Sequence, residues 1–285
     1  MNAKFRQLAA TSIALSVVFL IFLSAVYAYF GSILALSQAA DSIIDVLTSS
    51  AILFSLRVGA KPADRNHPRG HHRAEPIAAL IAAVLAGVLG IEVVRAAVMA
   101  LLTNADPHMH WLVALAFACK LLGKLGVFGT ANILHERAQS PAVRALAIDA
   151  RNDVLVCSLA LVGFLAARYG WSAWDAWLAI PAGIWIGWSG LELAIDNVRL
   201  LMGEAAPEAR QRALRATADG MPHVRASHDW KVRYEGAGLE VSVSIVLDEQ
   251  LALREAHDIA VSVEQRLLAE PDVVSVTVHI DVDGP

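Results

Sequence analysis

Six apolar blocks fill the chain before residue 200, and each is about as long as a bilayer is thick. Their approximate limits are Leu8–Phe30, Ile33–Leu56, Pro76–Leu102, Trp111–Leu134, Val143–Ala167 and Ala173–Ile195. A lone strand cannot satisfy its backbone in lipid, so helices are the expected form. Composition agrees: 56% of residues are hydrophobic and 18% charged, against about 45–50% and 25% in soluble globular chains. The first block is too long for a signal-peptide core and lacks a convincing cleavage site, so it reads as a retained span.

Basic residues set the expected orientation. Arg57, Lys61, Arg65, Arg69 and Arg73 lie between blocks two and three, Arg137 between four and five, Arg144 at the start of block five, and Arg199 after six. The opposite connections are almost free of them, with Arg168 the exception. The positive-inside rule therefore places both termini in the cytoplasm. A net charge of −4 gives no hint of a nucleic-acid partner. Cys119 and Cys157 form no CxxC pair and read as small buried hydrophobes. Trp171, Trp174, Trp177, Trp185 and Trp188, in or beside block six, read as interfacial anchors.

After Arg199 the chain turns soluble in character, giving a boundary near residue 200: a membrane domain over 1–200 and a small domain over 201–285. Pro207–Asp219 is a charged helix candidate. His228–Arg233 and Leu239–Leu247 alternate like strands, with Gly236 and Gly238 at the turn. Glu249–Ala269 reads as an amphipathic helix, and Val273–Val282 alternates again. The expected fold is an α-helical membrane protein with six transmembrane helices plus a small α+β domain of order αββαβ, metallochaperone-like, packing helices on one sheet face. So small a domain has a modest core, which dimerisation would extend.

Two of the spans carry paired aspartates. Asp41 and Asp45 lie in block two, Asp149 and Asp153 in block five, each pair at i, i+4 and so on one helix face. Asp45 and Asp153 fall roughly 15–16 Å from the cytoplasmic ends of their blocks, so the pairs can meet in one plane. An Asp at mid-membrane costs about 2.5–3.5 kcal/mol even on the lenient insertion scale, which argues against bare packing contacts. No set of four basic residues lies at that depth, and Arg151 is turned away from the acids' face. A divalent cation resolves the imbalance, and metal and protons would compete for the same carboxylates. Lys120 and Lys124 in block four share a face; snorkelling, lining a cavity or offsetting a carboxylate when metal leaves are all open to them, and a structural role is expected.

The loop 61–75, KPADRNHPRGHHRAE, places Asp64, His67, His71 and His72 within nine positions, a spacing that can hold a transition metal. His228, His257, His279 and Asp281 form a looser set in the soluble domain.

These residues together resemble the cation diffusion facilitator family. Asp41-Ser-Ile-Ile-Asp45 is similar to its second-helix motif, Pro62–Leu80 to its signature loop, Asp149-Ala-Arg-Asn-Asp153 to its fifth-helix motif, and His279-Ile-Asp281 to its metal-ligand ending. The resemblance implies a homodimer in a lipid bilayer, here a bacterial inner membrane, that exports divalent metal in exchange for protons. It implies a transport site at Asp41, Asp45, Asp149 and Asp153, a second site at Asp64, His67 and His71, and a regulatory site at His228, His257, His279 and Asp281. It implies no prosthetic group and no enzyme activity.

Three departures bear on these expectations. Asp149 stands where zinc-transporting members often carry His; an all-oxygen site suits Mn2+ better, with Zn2+, Fe2+ or Co2+ as other cargo. Ser244 stands where zinc and iron members carry a further His. Gly203 replaces an Asp that in some members pairs with a basic residue near helix three, leaving Arg73 in need of a partner, with Glu204 the candidate. Two other readings compete: a membrane metal sensor without flux, and an intramembrane aspartyl protease, whose Tyr-Asp and Gly-x-Gly-Asp motifs this chain lacks.

Overall fold

The structure is a computed structural model describing residues 2–30, 33–103, 111–138, 140–169 and 173–282. The segment 104–110 and Trp171, which enter the orientation and anchoring arguments, lie outside the described residues, as do the side chains of Arg168 and Trp174. The chain divides into two compact units, Met1–Lys61 with Ala74–Asn197 and Pro62–Arg73 with Val198–Pro285.

Six long helices run through the first unit: α1 (Asn2–Phe30), α2 (Ile33–Val58), α3 (Ala74–Thr103), α4 (Trp111–Ala138), α5 (Pro141–Arg168) and α6 (Ala173–Met202). By length and composition, four of them carry stretches apolar enough to cross a membrane: Lys4–Tyr29, Ala74–Thr103, Ala114–Glu136 and Trp177–Met202. The other two helices, α2 and α5, are those that carry the aspartate pairs.

This unit buries many polar side chains beside its apolar core and leaves many apolar ones uncovered. Ser12, Ser16, Ser42, Thr48, Ser49, Asp45, Lys120, Lys124, Asn152 and Asp153 are buried, while Ile21, Phe54, Ile91, Leu122 and Trp188 are exposed. Such a distribution suits hydrocarbon rather than water. Cys157 is buried as expected; Cys119 is exposed, so the burial expectation fails there, on a helix whose outer residues Leu115 and Leu122 are equally uncovered.

Small residues let the helices approach. Alanines of α3 and α5 line the main core against Leu8, Ile52, Val127 and Leu193. Between α3 and α6 the backbones nearly touch: a Cβ at Gly90 would lie 2.6 Å from Gly187 N and 2.7 Å from Gly183 O. Gly90→Val is therefore expected to cost about 1–3 kcal/mol as overpacking. Because the obstruction is backbone, the upper end of that range applies, read as a lower Tm and reduced recovery of monodisperse protein.

The entry to α5 is built locally. Pro141 takes the first helical position, where no amide hydrogen is needed. Ser140 precedes it: its carbonyl accepts from Arg144 N at 3.0 Å, and its hydroxyl donates to the Glu75 carboxylate of α3. That fixes where α5 begins and hence the height of Asp149, two turns on.

In the second unit, α7 (Glu208–Asp219), β1 (Ala226–Glu235), β2 (Gly238–Val246), α8 (Leu253–Leu268) and β3 (Val273–Asp281) follow in the anticipated αββαβ order. The sheet order is β1-β2-β3, antiparallel then parallel. Val241, Val243, Ile245 and Val276 meet Leu214, Val263 and Leu267 of the two helices in one core. The second helix starts at Leu253 rather than Glu249, because Asp248–Leu251 forms a turn and Glu255 accepts from Ala252 N at 3.2 Å.

Candidate metal centre

Three helices deliver the acids and their partners to one point. Asp45 comes from α2, Asp149 and Asp153 from α5, and Lys120 and Lys124 from α4, each intrahelical pair one turn apart. Carboxylate oxygens of Asp45, Asp149 and Asp153 all lie within 4.8 Å of one another. Asp41 is not in that trio. It lines the same pocket one turn further along α2 and accepts from Gln38 Nε2 at 2.9 Å. The pocket measures about 10 Å³, room for one water-sized body, between Asp41, Ile44, Asp45, Leu85, Asp149 and Asp153. Asn152 also lines it, with both amide atoms buried and unpaired among the described residues.

Of the roles open to the two lysines, the geometry favours the one against the acids over snorkelling. Lys120 Nζ lies 3.1 Å from Asp45 and 3.8 Å from Asp153. Lys124 Nζ lies 3.4 Å from Asp45 and 3.6 Å from Asp149, and closer still to Asp153. Their side chains are 3% and 0% exposed, so neither snorkels. The spacing of Lys120 and Lys124 was visible in the sequence; what was missing was which way the α4 face points. Gln38 and Asn152 carried no signal that distinguished them from ordinary packing residues. Arg151 points elsewhere as expected, its guanidinium 5.6 Å from the Trp185 ring centroid.

The loop cluster lies in the second unit. Asp64 Oδ1 accepts from His67 N at 2.7 Å and Asn66 N at 2.9 Å, and His67 Nδ1 is 3.2 Å away. His71 Nε2 is 3.6 Å from Asp64 Oδ2, and the two imidazole rings stand 4.4 Å apart. The His67 amide above all holds the Asp64 carboxyl below its usual pKa, so this ligand is an anion throughout the neutral range. Imidazole and carboxylate donors converging in this way fit a transition metal.

Glu235 orders the loop. Arg73 donates to it through Nε at 3.0 Å and Nη2 at 3.2 Å, and Arg69 lies 3.8 Å away. Ala237 N donates to His72 O at 3.3 Å, and the backbone approach there is so close that a Cβ on Gly236 (φ +64°) would lie 2.1 Å from that carbonyl. The partner of Arg73 is thus Glu235 and not Glu204, whose carboxylate faces Arg199 at 3.9 Å.

The soluble-domain set is only partly gathered. His228, Ser244 and His279 lie on one cross-strand row, and His228 Nε2 is 3.5 Å from Asp281 Oδ2. His257 is exposed on α8, which packs on the opposite face of the sheet. Ser244 occupies the middle of the row, where a third imidazole would have joined the other two.

Comparison with known proteins agrees with this architecture. Residues 9–202 match the family model of the cation efflux transmembrane domain, and residues 206–283 that of the cation efflux protein cytoplasmic domain. The chain is similar to the cation-efflux pump FieF of Escherichia fergusonii, 29% identical over 257 residues, 89% of this chain and 84% of the relative. The pumps of that name from Klebsiella pneumoniae subsp. pneumoniae and Cronobacter sakazakii are 28% and 27% identical over 253 residues, with the same coverage. These matches set aside the intramembrane protease. The chain belongs to the cation efflux family, the cation diffusion facilitators, and is a membrane-spanning transporter of cations rather than an enzyme.

Proposed function

We propose that this transporter exports divalent metal, Mn2+ foremost, from the cytoplasm in exchange for protons. It works as a homodimer with six spans per chain and both termini cytoplasmic, in a bacterial inner membrane. The cargo binds Asp45, Asp149 and Asp153, with Asp41 joining from the adjacent turn. The observation that carries this reading is the convergence of three carboxylates from two helices within 4.8 Å, Asp45 and Asp153 buried and Asp149 partly so. An all-oxygen donor set is hard and favours Mn2+ over metals that prefer imidazole. Protons and metal compete for these carboxylates, which supports exchange. The loop trio and His228, His257, His279 and Asp281 serve as cytoplasmic metal sites; for the last set, the described geometry supports only the His228–Asp281 part.

The test is flux in proteoliposomes with Mn2+, Zn2+, Fe2+ and Co2+, with a pH dye inside, comparing wild type with Asp149→His. Metal entry with opposite proton movement is expected. The substitution should move preference from Mn2+ toward Zn2+ by roughly tenfold, the scale of a 1.4 kcal/mol change in relative binding. An unaltered preference would remove the ligand argument for manganese, and metal binding without flux would favour a sensor.

A further inference from the structure

The aspartate cage carries its own cations. Lys124 Nζ contacts the same three carboxylates whose oxygens form the candidate metal cluster. Its side chain is fully buried, and the pocket beside it holds little more than one water-sized body. An ammonium and a metal ion would therefore need the same place.

We propose that Lys124 is a tethered counter-cation: it fills the centre of the cage when metal is absent and has to withdraw for metal to enter. Lys120, bridging Asp45 and Asp153 from one turn away, shares this task. The inference rests on the assignment of the cage as the transport site.

Charge supports it. Four carboxylates and two ammoniums sum to −2, the charge that one dication cancels. With metal bound, both lysines remain charged, shift to outer carboxylate oxygens, and leave the interior neutral. With metal gone, Lys124 returns and limits the charge left uncompensated in a low-dielectric interior, so metal release does not require four bare acids. A tethered competitor also weakens metal binding by the inverse of the fraction of time it leaves the cage free, which favours release on the far side.

A purely structural ion pair makes the opposite prediction. Its loss would loosen the cage and weaken metal binding. Loss of a competitor tightens it. The experiment is calorimetric titration of the full chain in nanodiscs with Mn2+ and Cd2+, the loop cluster silenced by Asp64→Ala and His67→Ala. Lys124→Met is expected to bind about tenfold more tightly, as for a cage that the lysine leaves free one-tenth of the time, and to transport more slowly. Equal or weaker binding overturns the proposal.

A second measurement needs no lysine variant. The sequence has five lysines, and Lys4, Lys61 and Lys231 are exposed while Lys120 and Lys124 are buried. In protein labelled at lysine Cε, Cd2+ should shift the two signals that a water-soluble relaxation agent leaves unbroadened; if both stay in place on saturation, the proposal fails. Asp153→Asn separates the two levels. If it binds metal as wild type does, the cage is not the transport site and the lysine inference falls with it. If it loses binding while Lys124→Met gains none, only the tethered cation falls.

Discussion

Asp153→Asn should reduce metal flux by about a hundredfold or more, since changes to groups merely supporting metal ligands already cost roughly 10–100-fold. It should also destabilise the protein. Asp153 is the closest acidic contact of Lys124 and lies 3.8 Å from Lys120. Its loss takes from the fully buried Lys124 its closest partner, and breaking a buried ion pair typically costs about 3–5 kcal/mol. The two effects separate in the double variant Lys124→Met, Asp153→Leu. Apolar residues of similar volume commonly replace a buried ion pair without net loss, so its melting temperature should recover toward wild type. Its flux should not, because a ligand is still missing. Recovery of both would mean that the cluster is scaffolding and that metal passes elsewhere.

Arg73→Ala is the second large effect. Glu235 is almost fully buried while Arg73 is about half exposed. The pair is therefore asymmetric: without Glu235, Arg73 can turn to water, but without Arg73 the buried carboxylate is left with the longer contact to Arg69 and the more distant charge of Arg233. Allowing for the exposed side, Arg73→Ala should cost about 1–3 kcal/mol, and Glu235→Gln less. Proteolysis between 62 and 73 should accelerate in the Arg73 variant. Metal affinity of Asp64, His67 and His71 should fall as well, because binding would then have to order the loop. Equal sensitivity of the two variants would show that the contact does not hold the loop.

These expectations divide at a clear line between what the sequence expressed and what it did not. Helix limits were legible because apolar runs and their polar interruptions are local. The i, i+4 placing of the acids was legible for the same reason, and so was the alternation of Val276 and Val278 against Ser275, Thr277 and His279; it fails at Val274, where a register shift puts Val273 in the core instead. The direction of the α4 face was not, because a lysine in an apolar helix reads alike whether it reaches an interface or an acid. The Arg73 partner was hidden by distance along the chain: 162 positions separate it from Glu235, and Glu204 looked better only because it stood near the position usually acidic. Asp41 and Asp45 share a helix face, yet the tertiary packing brings only Asp45 to the trio.

The loop between α2 and α3 belongs by packing to the C-terminal unit and by connectivity to the helices. That unit is consequently joined to the bundle at three peptide junctions, after Lys61, before Ala74 and after Asn197, instead of one. A body hung from a single hinge can swivel without disturbing what it hangs from. Here one of the three junctions lies three residues beyond the end of α2, the helix that carries Asp41 and Asp45.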